Sequence, residues 1–104
     1  MLSFIKEFIL GGNKMSMGAK HILVDQEFEA KDLIKKLADG STFENLAKDF
    51  SKCPSGKDGG DLGTFTKGMM VKPFEEAVLA LEVGQATESP VQTQFGYHLI
   101  LRTL

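Results

Sequence analysis

Three side chains of this sequence can titrate or attack near neutral pH: Cys53, His21 and His98. Few reactions can be built from so short a set. A Cys-His hydrolase needs, beyond thiol and imidazole, an orienting Asn or Asp and an oxyanion hole, and no segment carries that signature. A zinc site would draw on Cys53, His21, His98 and an aspartate, but no CxxC or HxxxH spacing supports it. The run Gly56-Lys57-Asp58-Gly59-Gly60 lacks the closing Gly-Lys-Ser/Thr of a phosphate loop. The lone Cys53 reads by itself as a small buried hydrophobe. Neither a metal nor a cofactor is expected.

The histidines carry more. Lys20-His21-Ile22-Leu23-Val24 and Tyr97-His98-Leu99-Ile100-Leu101 are strand-like runs, and a period of two puts each imidazole on the face opposite its immediate neighbours. One histidine in a strand is ordinarily structural. If the first and last strands are neighbours, however, the two rings share a hydrogen bond, and a buried neutral pair holds fixed tautomers instead of acting as a pH switch. Leu62, Phe65, Met69, Met70 and Phe74 form a second set. Core packing explains most of them, but Met69-Met70 follows a glycine where no helical stripe demands it. Adaptable methionine beside phenylalanine suits an apolar pocket for peptide side chains.

The elements that must position these residues are legible from periodicity. Ala19 to Val24 is the first strand. Ala30, Leu33, Ile34, Leu37 and Ala38 recur as one helix face, with Gly40 at the left-handed cap position. Ser41-Thr42-Phe43-Glu44 reads as a capping box, Ser41 bonding forward and Glu44 back, and opens a second helix with Phe43, Leu46, Ala47 and Phe50 on its apolar face. Between Ser51 and Gly68 periodicity stops and five of the eleven glycines crowd together, around a short strand over 61–66. Lys72-Pro73-Phe74-Glu75-Glu76 opens a third helix that runs to Gly84, with Pro near its start and carboxylates at the positive end of its dipole. Residues 90–93, a turn at Gln94-Phe95-Gly96 and residues 97–102 form a closing pair of strands, joined too tightly to be parallel. The order implies an α+β domain with a largely antiparallel sheet covered by helices.

Composition bounds the function. The chain has 104 residues, 42% of them hydrophobic and 25% charged, which suits one soluble globular domain. Twelve Lys and Arg against fourteen Asp and Glu give a net charge of -2, without the basic footprint of a dedicated nucleic-acid binder. The apolar stretch 1–10 is too short to span a membrane, and Glu7 fits poorly in a signal peptide. Residues 1–18 read as an N-terminal extension, either upstream sequence before a start at Met15 or Met17 or a short amphipathic helix. The absence of a signal and the free thiol point to the cytoplasm.

Four segments, taken in order, resemble the motifs of the parvulin-type (PpiC) peptidyl-prolyl cis/trans isomerases, especially the small single-domain bacterial ones. They are His21-Ile22-Leu23-Val24, Cys53-Pro54-Ser55-Gly56-Lys57-Asp58-Gly59-Gly60-Asp61-Leu62-Gly63, Gly68-Met69-Met70-Val71-Lys72-Pro73-Phe74 and Thr93-Gln94-Phe95-Gly96-Tyr97-His98-Leu99-Ile100. The resemblance covers residues 19–104. It implies a four-stranded, mostly antiparallel sheet covered by about four helices. It also implies that His21 and His98 are the family's paired histidines, Cys53 the position held by Cys or Asp, and Thr93 the hydroxyl that tethers the pair. Leu62, Met70 and Phe74 would receive the substrate proline ring, with Phe65 and Phe95 as walls. The implied reaction is rotation about X-Pro bonds in unfolded or flexible polypeptides, without covalent chemistry, by a monomer that assists folding. Phosphate-reading parvulins carry a basic loop after the first strand, whereas Asp25-Gln26-Glu27-Phe28-Glu29 stands here, so unphosphorylated substrates with an apolar residue before proline are expected. The alternative is a peptide-binding chaperone module with incidental isomerase activity.

Overall fold

The computed structural model describes residues 16–104. Four strands form one sheet: β1 (Ser16–Val24), β2 (Asp61–Thr66), β3 (Val91–Thr93) and β4 (Gly96–Arg102). Their spatial order is β2-β1-β4-β3, and every described ladder is antiparallel. Three α-helices accompany them, α1 (Glu27–Ala38), α2 (Phe43–Phe50) and α3 (Lys72–Ala80), with a short 3-10 segment over Pro54–Asp58. The domain is α+β as expected, with three α-helices among the described residues where about four were anticipated for the domain. β1 starts at Ser16, so Ser16, Met17 and Gly18 belong to the sheet; the remainder of the 1–18 extension lies outside the described residues.

Strict alternation along β1 and β4 divides the core into two halves. Ile22, Val24 and Leu99 face α1 and α2 and pack with Ala30, Leu33, Phe43, Leu46 and Ala47. Met17, Ala19 and Ile100 face the other way, with Phe65, Phe74 and Val78 under α3. In the register of β1 against β4, His21 lies opposite Ile100 and Leu23 opposite His98. The two imidazoles are therefore diagonal neighbours on the α3 face, within reach of one another.

Three local expectations shift. Thr42, not Ser41, caps α2, its side chain accepting the Asn45 N–H at 3.2 Å. Gly40 adopts a left-handed conformation and the Ser41 N–H bonds Lys36 O, which holds Ser41 in the turn that leaves α1. Glu44 does not reach back to a cap: it binds Lys20 Nζ on the same face of the sheet at 2.6 Å. α3 ends at Ala80 and not at Gly84. The segment that follows is recruited by β4, with Gly84 N–H donating to Arg102 O and Arg102 N–H to Gln85 O, while the Arg102 guanidinium donates to Leu81 O at 2.8 Å beside the helix end.

Candidate active site

His21 and His98 meet through their Nδ1 atoms, 3.0 Å apart, with ring planes inclined by 23°. On the far side of His98, Nε2 lies 2.7 Å from Thr93 Oγ1, and that oxygen also accepts the Phe95 N–H at 3.1 Å. Two neutral tautomer pairs satisfy both contacts: in one the Thr93 hydroxyl donates to His98 Nε2 and His98 Nδ1–H donates to His21 Nδ1, and in the other His98 Nε2–H donates to Thr93 Oγ1 and His21 Nδ1–H donates to His98 Nδ1. His21 Nε2 is buried and has no protein partner among the described residues.

The pair is neutral for a physical reason. His21 is 6% exposed and His98 3% exposed, and Phe74 stands nearly perpendicular to both rings, with centroids 5.6 and 5.4 Å away. Burial disfavours the charged form, and each imidazole is lowered from 6.5 to about 4, His98 with a further contribution from the neighbouring His21. Near pH 7 neither ring is a cation.

A cavity of about 380 Å³ opens beside the pair, lined by His21, Leu23, Cys53, Leu62, Met70 and Phe74 among others. Met69 and Phe95 stand at its solvent side, 66% and 59% exposed. The backbone brings Cys53 there by stitching the segment after α2 onto β1. Ser51 Oγ accepts the N–H groups of both Leu23 and Cys53, and the Lys52 N–H donates to Leu23 O at 2.7 Å. On the other side of the strand segment the His21 N–H donates to Gly60 O at 2.9 Å. Gly60 has φ +88°, and a Cβ there would stand 2.4 Å from His21 O, so only glycine lets the loop lie against the histidine's backbone.

Of the residues the sequence singled out, His21, His98, Cys53, Leu62, Met70, Phe74 and Phe95 line this cavity. Thr93 stands behind it, bonded to His98. Phe65 does not line it: 3% exposed, it packs beneath Phe74 at 6.3 Å between centroids, a core residue supporting the wall. Cys53 Sγ receives its hydrogen bond from Ser55 Oγ at 3.3 Å and makes none to an imidazole, so a thiolate-imidazolium nucleophile is not assembled. Leu23 and Val71 line the cavity without having been singled out; Leu23 could have been found by strand parity with His21. Ser51 carried no signal beyond its place after a helix. Among the described residues no three His, Cys, Asp or Glu side chains are placed to hold a metal ion, and no helix is long and apolar enough to cross a membrane.

The family model of the rotamase, or PPIC-type PPIase, domain matches residues 17–103. The chain belongs to this peptidyl-prolyl isomerase domain family. Foldase protein PrsA 4 of Bacillus cereus is 48% identical to this isomerase domain over 91 residues, 86% of this chain and 32% of the relative. The crystal structure of the peptidylprolyl isomerase PrsA from Bacillus anthracis superposes with a TM-score of 0.84 at 43% identity, covering 94% of this chain and 45% of that one. The parvulin NmPin of Nitrosopumilus maritimus matches with a TM-score of 0.75 at 46% identity, covering 86% of this chain and 96% of that one. The isomerase domain thus spans about a third of the PrsA foldases it matches and nearly the whole of a small parvulin.

Proposed function

We propose that this isomerase domain accelerates rotation about X-Pro bonds in unfolded or flexible chains by gripping the proline ring in the cavity between Leu62, Met70 and Phe74. The barrier is about 18–20 kcal/mol because resonance keeps the amide planar. That resonance separates charge, placing negative charge on the carbonyl oxygen, and water bonded to the oxygen stabilises the planar forms. An apolar slot withdraws this water and binds the twisted amide better than either planar isomer. No bond to the amide breaks, so no acid, metal or cofactor is needed. The observation that carries the proposal is the apolar cavity bounded by a neutral, hydrogen-bonded imidazole pair. His21, His98 and Thr93 shape its polar side, and Cys53 tunes that environment without attacking.

Substrate preference follows from charge. β1 passes into α1 through two residues, leaving no loop there for phosphate, and Asp25, Glu27 and Glu29 occupy the connection and the first helical turn. The substrates are therefore unphosphorylated segments with an apolar residue before proline, which Met69 and Phe95 can cover. We further propose that the domain acts as a monomer, and in the cytoplasm, a compartment that suits the free thiol of Cys53; sedimentation and cell fractionation test the two parts.

A protease-coupled assay on paired Leu-Pro and phosphoserine-Pro peptides tests the reading. The expected result is faster isomerisation of Leu-Pro with little effect on the phosphopeptide. Binding of both peptides without acceleration would instead support the peptide-holding chaperone.

A further inference from the structure

The loop that brings Met69 and Met70 to the cavity joins β2 to α3. It opens with a turn in which the Met69 N–H donates to Thr66 O at 3.2 Å and Gly68 takes φ +92°, the arrangement of a type II turn. The Thr66 N–H is held by Met69 Sδ at 3.4 Å, and the loop closes where the Phe74 and Glu75 N–H groups both donate to Val71 O. In such a turn the N–H of the glycine is not used by the turn itself. Here it donates to Glu75 Oε1 at 2.7 Å, a short charge-assisted bond. Glu75 directly follows Phe74 in the first turn of α3. The loop's apolar anchoring consists of the partly buried Met70 and Val71, whereas Met69 is 66% exposed. The bond from Glu75 therefore ties the turn bearing the methionines to the helix bearing Phe74.

Building on the isomerase reading above, we infer that Glu75 is a positioning residue: its carboxylate, by holding Gly68, fixes the separation of Met69-Met70 from Phe74 and so the grip on the proline ring. It touches neither substrate nor imidazole. Loss of the bond lets the turn relax and water enter the slot, and displacements of about 1 Å at a site cost up to about a hundredfold in rate. Because the bond lies at the solvent-exposed surface, the effect is moderate: Glu75→Ala is expected to lower kcat/KM for a Leu-Pro peptide about fivefold to tenfold, the loss lying in kcat with KM changed less than about twofold.

The test measures wild type, Glu75→Ala and Glu75→Gln in the same coupled assay, together with thermal unfolding and the Met70 methyl resonance. The glutamine amide oxygen can accept the same N–H, so Glu75→Gln should stay within about twofold of wild type and keep the wild-type methyl shift, while Glu75→Ala moves that resonance and unfolds within a few degrees of wild type. Full activity of Glu75→Ala, equal loss in both variants, or a loss that follows unfolding overturns the inference while leaving the isomerase reading intact. An inactive wild type overturns that reading, and this inference with it.

Discussion

Phe74 is the side chain on which most of the site depends. Its ring packs against both imidazoles and against Phe65, and it walls the cavity, so one residue keeps the histidines dry and shapes the slot. Phe74→Ala should lower kcat/KM at least about thirtyfold by admitting water, and cost about 3–5 kcal/mol of stability as a large buried side chain is lost. Cys53→Asp should cost less activity, about threefold to fivefold, because the proposed mechanism gives Cys53 no covalent step and its side chain is half-buried. Coupled kinetics on variants shown by urea titration to be folded at the assay temperature compare the two. The reverse order would contradict desolvation as the source of catalysis. The histidine contact was only partly legible in the sequence: a period of two placed each imidazole opposite its neighbours, but the register of β1 against β4 and the turn that brings Thr93 to His98 are not encoded in residue types.

At the scale of elements, the long periodic segments declared themselves and the boundaries did not. α1 and α2 follow their apolar stripes, and the alternation of β1 and β4 sorts the core onto two faces. Ser41 and Thr42 are both good caps, so sequence alone could not choose between them; the choice falls to Gly40 and the bond from Ser41 N–H to Lys36 O. Thr42→Ala should therefore destabilise by about 1 kcal/mol and Ser41→Ala by less than about 0.3 kcal/mol, read from urea midpoints at constant slope. Equal effects would return the cap to Ser41. The end of α3 was hidden because the competitor for residues 84–87 is β4, distant in sequence, and the 3-10 segment was hidden because five residues carry no period. Phe65 looked like a pocket residue for a related reason. Its aromatic type suits either role, and only the packing of Phe74 above it decides.

Across the whole molecule, the buried pair couples folding to pH. The unfolded chain takes up protons on its histidines near pH 6.5, whereas the folded one resists until about 4, so more protons are bound in the unfolded state and stability rises with pH across that window. Stability complete above pH 7 is lost as pH falls toward 4, on the order of 3 kcal/mol for the first proton. Glu44, held below the ordinary carboxylate value by its bond to Lys20, loses its share only at lower pH, and with its side chain 42% exposed that share is small. Urea midpoints should be level from pH 7 to 8 and clearly reduced at pH 5; a midpoint unchanged down to pH 4.5 would mean the imidazoles are not buried as described. Surface charge has a separate consequence. Replacing Glu27 and Glu29 together by Lys should raise kcat/KM for phosphoserine-Pro peptides about threefold or more while leaving Leu-Pro turnover within about twofold, an effect that shrinks with added salt. No gain would show that the start of α1 does not face the residue before proline.

The central claim is that an apolar cavity beside a neutral histidine pair lowers the barrier to X-Pro rotation. Exchange spectroscopy of a Leu-Pro peptide measures this directly, since uncatalysed interconversion takes tens of seconds or longer and gives no cross-peaks on the NMR timescale. A catalytic amount of the wild-type domain at pH 7 should produce cis-trans exchange cross-peaks, which Phe74→Ala, confirmed as folded, should largely abolish. Peptide resonances that shift on binding while the two isomers remain unexchanged would contradict the account.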